Sequence, residues 1–360
     1  MKNLSFRSST MPLGDTDSGL KVGLVFNDPF FSGMGIYKGA EDDVLREVEA
    51  VSRAMENLGY KIERLSVTDD VPRFFNEISS KHVDVVFNLC ERLRDDSWGE
   101  VLMAHILERM EISFTGSDSK ALWLGLHKDK SKAVLSLFGI RTPSFKVFTN
   151  ENESPDSLNF PLIVKPNLED GSLGIDSKSV VWDIESLRRR VRTIIKEFKR
   201  PVIVEEYIDG REFNVSILGN RVIGIGEVEF SGLPEGEPRV VSYKAKWDRE
   251  SDEYKGTTTV CPANLDRKTE NKIRDIALKA FRAIGCRDYA RVDMRMDSLK
   301  RIYVIEVNPN PDISPDSGFS KALKSAGLSY EAFVDKVLGF ALQRKRLMYD
   351  DKNTRYGNTG

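Results

Sequence analysis

Cysteine and histidine are scarce in this sequence: its 360 residues include three of each. The cysteines, Cys90, Cys261 and Cys286, are odd in number and widely spaced. This argues against a disulfide framework and predicts reduced thiols in a cytoplasmic protein. The histidines do not show the spacing of metal ligands.

Long apolar runs and an excess of one charge are absent as well. No stretch reaches the roughly 18 apolar residues that a membrane-spanning helix needs. The net charge is −2, with 54 basic and 56 acidic side chains, so no broad attraction to nucleic acid or to a membrane surface is expected. The composition is that of an ordinary globular protein.

Strand and helix patterns alternate in the first third of the chain. "LKVGLVF" (20–26), "YKIERLSV" and "VDVVFNL" (83–89) have the apolar, β-branched composition of buried strands. Between the first two, 41–59 shows helical spacing of apolar residues closed by a glycine. The alternation predicts a parallel, doubly wound α/β domain over 20–117.

Two mixed lobes are expected to follow, each combining strands with helices. The helix predicted at 184–199 carries a basic run, Arg188–Arg190 with Arg192 and Lys196, which we interpret as a solvated face. "LGNRVIG" predicts a hairpin, and the last helix is expected to end near Arg346. The predicted boundaries are a disordered leader 1–19, an N-terminal domain 20–117, a central lobe 118–208, a C-terminal lobe 209–346 and a polar tail 347–360.

A candidate metal site lies on two of these strands. In "YARVDMR", Arg291 and Asp293 share a face, and in "VIEVNPN", Glu306 and Asn308 do. The short turn between the strands predicts antiparallel pairing, which would let Asp293, Glu306 and Asn308 converge. Such an oxygen-only set suits Mg²⁺ bound together with phosphates. The alternative is a salt-bridged pair at the end of a sheet.

Phosphate contacts are available in "IVKPNLEDGSLGI" (163–175). Lys165 ends a predicted strand, and Gly171 and Ser172 lie in a flexible loop whose amides could close over phosphate. The loop is not a Walker motif, and an ordinary hairpin turn is the alternative. The glycine-containing segment 30–39 has the wrong spacing for a dinucleotide loop.

Two further stretches could complete a nucleotide site. "VIVEEYIDGRE" (202–212) is a strand that runs into an acidic turn, which could serve an adenine and a ribose or could be a charged edge strand that prevents aggregation. The polar stretch 243–260 is long for a connection and predicts a lid, from which Lys244 and Lys246 could reach phosphates.

Taken in order, these motifs resemble the ATP-grasp superfamily and, within it, the D-alanine–D-alanine ligases. The resemblance covers about 83–342 and includes "HKDKSKAVLSLFGIRTPSF", "PLIVKPNLEDGSLGI", "VIVEEYIDGREFNVSILGN", "YARVDM" and "IEVNPNP". It implies an ATP-grasp fold in which two α+β lobes enclose ATP, behind an N-terminal doubly wound domain. It also implies ATP and two Mg²⁺ ions (or Mn²⁺) as cofactors, small amino acid or peptide substrates, and a homodimer.

The resemblance assigns the nucleotide-binding roles to one set of residues. Those that would bind ATP are Lys128, Lys165, Gly171, Ser172, Glu205, Tyr207, Ile208 and Glu212. Among them, the lysines would contact phosphates and Glu212 the ribose.

A second set carries the chemistry. The implied Mg²⁺ ligands are Asp293, Glu306 and Asn308. The implied catalytic residues are Lys246 on the γ-phosphate, Arg291 on the tetrahedral intermediate and Ser317 on the carboxylate of the second substrate.

These roles predict an ATP- and Mg²⁺-dependent ligase. Transfer of the γ-phosphoryl group would turn a carboxylate into an acyl phosphate, which an amine then attacks, with ADP and phosphate as products. A ligase for another amino acid or small peptide, and an ATP-binding regulatory protein without catalysis, stay open as alternatives.

The chain departs from the ligase pattern around the first substrate. The family's Gly-Gly-x-Ser-x-Glu segment is replaced by "FNDPFFSG" (26–33), and its His-Gly segment by Cys90–Glu91. One loop serine is Gly171, the lid tyrosine is Trp247, and a glycine beside the acyl centre is Asp312. The identity of the first substrate is therefore open.

Overall fold

The computed structural model describes residues 19–28, 38–94 and 96–356, with the backbone alone for 38–42 and 348–356. The predicted leader, except Gly19, lies outside the described residues, as do 29–37, which include most of the segment 30–39 and part of "FNDPFFSG".

The N-terminal unit is a parallel sheet with helices on both faces, as predicted. Its elements are β1 (Lys21–Asn27), α1 (Lys38–Asn57), β2 (Lys61–Val67), α2 (Val71–Lys81), β3 (Val85–Leu89) and α3 (Trp98–Arg109). The strand order is β2-β1-β3 with both pairings parallel. Apolar residues of α1, such as Val48 and Met55, are buried against one face, and Phe74 of α2 and Met103 of α3 against the other.

A four-stranded antiparallel sheet forms the centre of the chain. Its region comprises α4 (Ser119–Leu126), α5 (Lys128–Leu137), β4 (Phe145–Phe148), β5 (Leu162–Pro166), a 3-10 turn (Ser177–Ser179), β6 (Val180–Val181), α6 (Ile184–Phe198) and β7 (Val202–Glu206). The strand order is β4-β7-β5-β6. Helix α6 buries Leu187, Val191 and Ile194 on this sheet, as its spacing predicts.

The basic run of α6 is not wholly a solvated face, so that prediction was wrong for Arg190. This side chain is buried and donates hydrogen bonds to the Gly174 carbonyl at 2.8 Å and to Asp176 at 3.1 Å. The helical spacing brings Arg190 towards the loop that precedes β6, which the sequence pattern of α6 alone does not reveal. It therefore anchors the end of the predicted phosphate loop.

A five-stranded sheet forms the last lobe. Its elements are β8 (Arg211–Leu218), β9 (Arg221–Glu229), α7 (Tyr243–Trp247), α8 (Asp252–Gly256), β10 (Thr258–Val260), α9 (Arg267–Ile284), β11 (Tyr289–Met296), β12 (Ile302–Asn308), α10 (Gly318–Ser325) and α11 (Tyr330–Tyr356). The order is β10-β9-β8-β11-β12, and every pairing is antiparallel. The predicted hairpin joins β8 to β9, and β11 pairs with β12 as expected.

The last helix differs from the prediction in length. Helix α11 continues to Tyr356, past the expected end at Arg346 and into the predicted tail. Its apolar residues Phe333 and Val337 share one core with Val22 and Val48 of the N-terminal unit. None of the helices in the described part of the chain combines the length and apolar content that a bilayer span requires.

Helix α4 packs tightly on the turn after β12, and this contact predicts the effect of one substitution. A Cβ added at Gly125 would lie 2.5 Å from Cδ of Pro309, next to Asn308. Overpacking of this kind costs about 1–3 kcal/mol. We expect Gly125→Ala to lower the free energy of unfolding by that amount in urea denaturation.

The matched control is Gly339→Ala in α11, where an added Cβ meets no atom within 4 Å. This variant should be neutral or stabilising by roughly 0.5–1 kcal/mol, because alanine favours a helix. Equal stability of the two variants would contradict the packing argument.

Candidate active site

A cavity of about 540 Å³ lies between the four-stranded and the five-stranded sheet. All of the site residues predicted from the sequence except Lys128 line it. These are Lys165, Gly171, Ser172, Glu205, Tyr207, Ile208, Glu212, Lys246, Arg291, Asp293, Glu306, Asn308 and Ser317. Residues from five strands, β5, β7, β8, β11 and β12, therefore meet the lid stretch in one space.

The predicted metal ligands are brought together by the register of β11 and β12. Asp293 lies directly opposite Glu306, and Arg291 lies opposite Asn308. Asp293 accepts two hydrogen bonds from Arg291, at 2.7 and 2.8 Å, and one from Asn214 at 2.9 Å. Like charges opposite each other on a sheet repel, so this pair of carboxylates requires nearby cations.

Lys128 supplies a second cation although it does not line the cavity wall. Its ammonium group lies 3.5 Å from Glu306 and 3.0 Å from Asp170, and donates to the Glu169 carbonyl at 2.6 Å. Burial alone would raise the pKa of Glu306, but Lys128, Lys165, Arg291 and Lys246 hold it at about 2. Glu306 is therefore ionised throughout the physiological pH range.

One end of the cavity is formed by residues of β7. Glu205 is 1% exposed and lies between two lysines, 3.2 Å from Lys165 and 3.3 Å from Lys132. Oε2 faces Lys165 and Oε1 faces Lys132, and among the described residues Oε1 has this ion pair but no well-aligned hydrogen bond. A buried carboxylate oxygen in that state can accept a hydrogen bond from a ligand.

Glu212 is held in place by a residue that the sequence analysis missed. Arg295 donates to Glu212 at 2.9 Å through Nε, donates to the Ile208 carbonyl at 2.9 Å, and lies 5.2 Å from the centre of the Tyr207 ring. Arg295 follows Arg291 and Asp293 on the same face of β11. Continuing the alternation by two residues could have found it.

The lid stretch folds over the cavity and touches the phosphate loop. Trp247 donates from Nε1 to the Gly171 carbonyl at 2.8 Å, so two of the departures from the ligase pattern are in direct contact. Lys246 lines the cavity, whereas Lys244 is exposed and does not. Arg249 of the same stretch pairs with Asp316 at 2.9 Å.

Ser317 begins helix α10 at the same end of the cavity. It is buried, and its Oγ accepts a hydrogen bond from the Ser320 amide at 3.1 Å. The hydroxyl proton remains able to donate to a ligand. Arg46 of α1 and Asp316 also line this end, 2.7 Å apart.

An acidic cluster, which the sequence analysis did not identify, completes this end. One carboxylate oxygen each from Asp43, Glu47 and Asp312 lie within 4.8 Å of one another. Glu47 is buried and accepts a hydrogen bond from the Ile313 amide at 2.6 Å. Burial and the Asp312 charge raise the pKa of Asp43 to about 7. The sequence pattern of α1 predicted only a helix. Asp312 is far from Asp43 and Glu47 in sequence, so their contact could not be predicted.

Comparison with known proteins agrees with this geometry. The family profile described as "D-ala D-ala ligase C-terminus" matches residues 134–339. The chain is 36% identical over 266 residues, which are 72% of its own length and 75% of the other's, to the uncharacterized protein y4sG of Sinorhizobium fredii. It is 31% identical over 247 residues, 67% and 78% of the two lengths, to the D-alanine–D-alanine ligase of Haemophilus influenzae.

The fold comparison extends over nearly the whole molecule. A D-alanine–D-alanine ligase from Bacillus anthracis superimposes with a TM-score of 0.74 at 23% identity, covering 91% of this chain and 99% of that one. The crystal structure of that ligase complexed with ATP gives a TM-score of 0.72.

Fold and cavity together define an ATP-grasp protein, in the class of ATP-dependent carboxylate–amine ligases. Within that class, the chain belongs to the D-alanine–D-alanine ligase family. The resemblance, the fold class and the reaction class expected from the sequence are thereby confirmed. The roles of individual residues stay predictions.

The acidic cluster predicts a pH dependence of stability. Because the pKa of Asp43 is raised by folding, the folded state binds more protons than the unfolded state between about pH 4 and pH 7, and stability falls as the pH rises through that window. We expect Asp43→Asn to reduce the loss of stability between pH 5 and pH 8, as measured by urea denaturation at both values. Glu49→Gln on the exposed side of α1 is the control, and an unchanged loss in Asp43→Asn would contradict the prediction.

Proposed function

We propose that the protein uses ATP and Mg²⁺ to convert the carboxylate of an amino acid or small peptide into an acyl phosphate and to join it to an amine. The observation that carries this proposal is the convergence of two lysines, an opposed pair of carboxylates and the half-buried Arg291 on one cavity of about 540 Å³. A binding protein without catalysis would not need Arg291 or a lysine on a lid.

The nucleotide would lie between the two sheets. The Oε1 atom of Glu205, which lies 3.3 Å from the ammonium group of Lys132, suits the amino group of adenine, because an ionised carboxylate oxygen can only accept and has more than one lone pair. Glu212, fixed by Arg295, suits the hydroxyl groups of a ribose. Lys165 and Lys246 line the same cavity and both lower the pKa of Glu306, so phosphates would bind near them.

The donor set at Asp293, Glu306 and Asn308 fits Mg²⁺. All three side chains offer oxygen, the ligand that Mg²⁺ prefers, and the two carboxylates oppose each other on neighbouring strands. When bound, Mg²⁺ would supply charge neutralisation and orientation for the phosphates.

Side chains of this protein would carry the remaining steps. Lys128, Lys165 and Lys246 would hold the phosphates in line with the acceptor carboxylate. The guanidinium group of Arg291 is oriented by its two hydrogen bonds to Asp293. It would stabilise the oxyanion that forms when the amine attacks. Ser317 would bind the carboxylate of the amine substrate.

The lid would protect the acyl phosphate from water. The contact of Trp247 with Gly171 would hold the lid on the phosphate side, and the pair of Arg249 with Asp316 would hold it on the substrate side. A dry site of this kind favours attack by the amine over hydrolysis.

The proposal is tested by measuring phosphate release and product mass with ATP, Mg²⁺ and a panel of D- and L-amino acids and dipeptides. We expect amine-dependent phosphate release with a condensed product. Glu306→Gln should lower turnover by about 10³-fold, because the metal contributes several kcal/mol. Glu229→Gln on β9, which is exposed, should be unaffected.

ATP binding without turnover across the whole panel would overturn the ligase proposal. Near-normal turnover of Glu306→Gln, with the fold intact by circular dichroism, would instead remove Glu306 from the metal site.

The contact between Trp247 and Gly171 predicts how substrate choice can be changed. An added Cβ at Gly171 would lie 3.7 Å from the Trp247 ring, so a serine has space there, although the φ of +65° strains it. We expect the double variant Gly171→Ser with Trp247→Tyr to raise kcat/KM for D-alanine relative to the other amino acids of the panel. The two single variants serve as controls, and an unchanged selectivity would exclude these positions as determinants.

A further inference from the structure

Lys132, on α5, is a buried cation to which the proposed mechanism gives no task. Its side chain is 1% exposed. It donates hydrogen bonds to the Ile305 carbonyl at 2.8 Å and to Thr142 at 3.2 Å, and forms an ion pair with Glu205 at 3.3 Å. Lysine is almost never this buried unless it is paired, and burial lowers its pKa to about 8. It is therefore still charged at pH 7.

The partners of Lys132 belong to different sheets. Glu205 lies on β7 of the four-stranded sheet, and Ile305 lies on β12 of the five-stranded sheet. One ammonium group thus links the two layers that enclose the cavity. The neighbouring backbone strengthens this link, because the Val304 amide donates to the Arg141 carbonyl at 2.8 Å.

We propose that Lys132 is a positioning residue that sets nucleotide specificity, holding Glu205 as an acceptor for the amino group of adenine and fixing the strand segment beside Glu306. The inference rests on the proposed function, since it requires that Glu205 faces the base of a nucleotide.

The charge around Glu205 explains the effect on specificity. The charged groups that act on Glu205 are Lys132 and Lys128 on α5 and Lys165 on β5, and Glu306 on β12 acts on Lys132. Burial alone would raise the pKa of Glu205, but Lys132 and Lys165 hold it below its usual range. An ionised carboxylate accepts hydrogen bonds and donates none.

Adenine and guanine differ at the position that such a carboxylate reads. Adenine presents an amino donor where guanine presents a carbonyl acceptor. An ionised Glu205 therefore attracts adenine and repels guanine. Removal of Lys132 would leave one direct cation partner, favour a proton on Glu205, and allow that proton to be donated to the guanine carbonyl.

The hydrogen bond to Ile305 has a separate consequence for turnover. The carbonyl of Ile305 belongs to the peptide that leads into Glu306, and this peptide is held by Lys132. Without the bond, the position of the Glu306 carboxylate is less fixed. A displacement of about 1 Å in a catalytic group can reduce a rate about 100-fold.

The experiment compares kcat and KM for ATP and for GTP in the wild type, Lys132→Met and Lys130→Met. Lys130 lies on the same helix, with its side chain 57% exposed, and serves as the matched control. We expect Lys132→Met to reduce the preference for ATP over GTP in kcat/KM by about tenfold or more and to lower kcat. Lys130→Met should match the wild type.

The variant Glu205→Gln distinguishes a role of Lys132 in nucleotide preference from a purely structural role. A glutamine both donates and accepts, so this variant should also lose its preference for ATP, and adding Lys132→Met to it should change the preference little further. An unchanged preference in Lys132→Met, with only lower thermal stability, would overturn the inference.

Two further outcomes keep the test decisive. A wild type that neither binds nor hydrolyses ATP would refute the proposed function itself. A wild type with ATP-dependent turnover, together with an unaltered nucleotide preference in Lys132→Met, would refute only the role of Lys132.

If Lys132→Met does not fold, Lys132→Arg retains the charge, and we expect it to keep the preference for ATP while lowering kcat. Loss of the preference in that variant would contradict the charge argument.

Discussion

The structure depends on one electrostatic constraint: two carboxylates, Asp293 and Glu306, are forced to lie opposite each other on paired antiparallel strands. Repulsion between them has to be compensated, and Arg291 and Lys128 do so from two sides. Most of the cavity follows from that arrangement. Lysines surround the pair, a lid covers it, and the sheets bring the nucleotide end and the substrate end to its two sides.

Cationic side chains connect the layers of this protein around the cavity. Lys132 bonds to strands of both sheets, Arg295 joins β11 to the turn after β7, and Arg190 ties α6 to the phosphate loop. Buried pairs of this kind add little net stability, because desolvation offsets their attraction. These pairs instead fix the geometry of the site, and phosphoryl transfer depends mainly on positioning.

The sequence was sufficient to identify the strands and the residues that alternate along them. The period of two places Asp293, Glu306 and Asn308 by inspection, and helical spacing identifies α1 and α6. It could not reach contacts between distant segments, such as Glu47 with the Ile313 amide. It also could not distinguish Arg190, which is buried, from its solvated neighbours, because charge patterns carry no information about the loop that a side chain meets. The end of α11 was misplaced because a polar composition does not exclude a helix.

The packing of α11 has a consequence for how the protein folds during translation. The N-terminal sheet shares its core with Phe333 and Val337, which are translated after both lobes. Lys345 and Arg344 of the same helix donate hydrogen bonds to the Asp84 carbonyl and to the Asp288 carboxylate. At about 5–20 residues per second, the ribosome releases this helix on the order of ten seconds or more after the sheet. The N-terminal sheet thus has to wait for α11 before its shared core is complete. During that interval the apolar residues that α11 covers stay exposed, and exposed apolar surface favours aggregation.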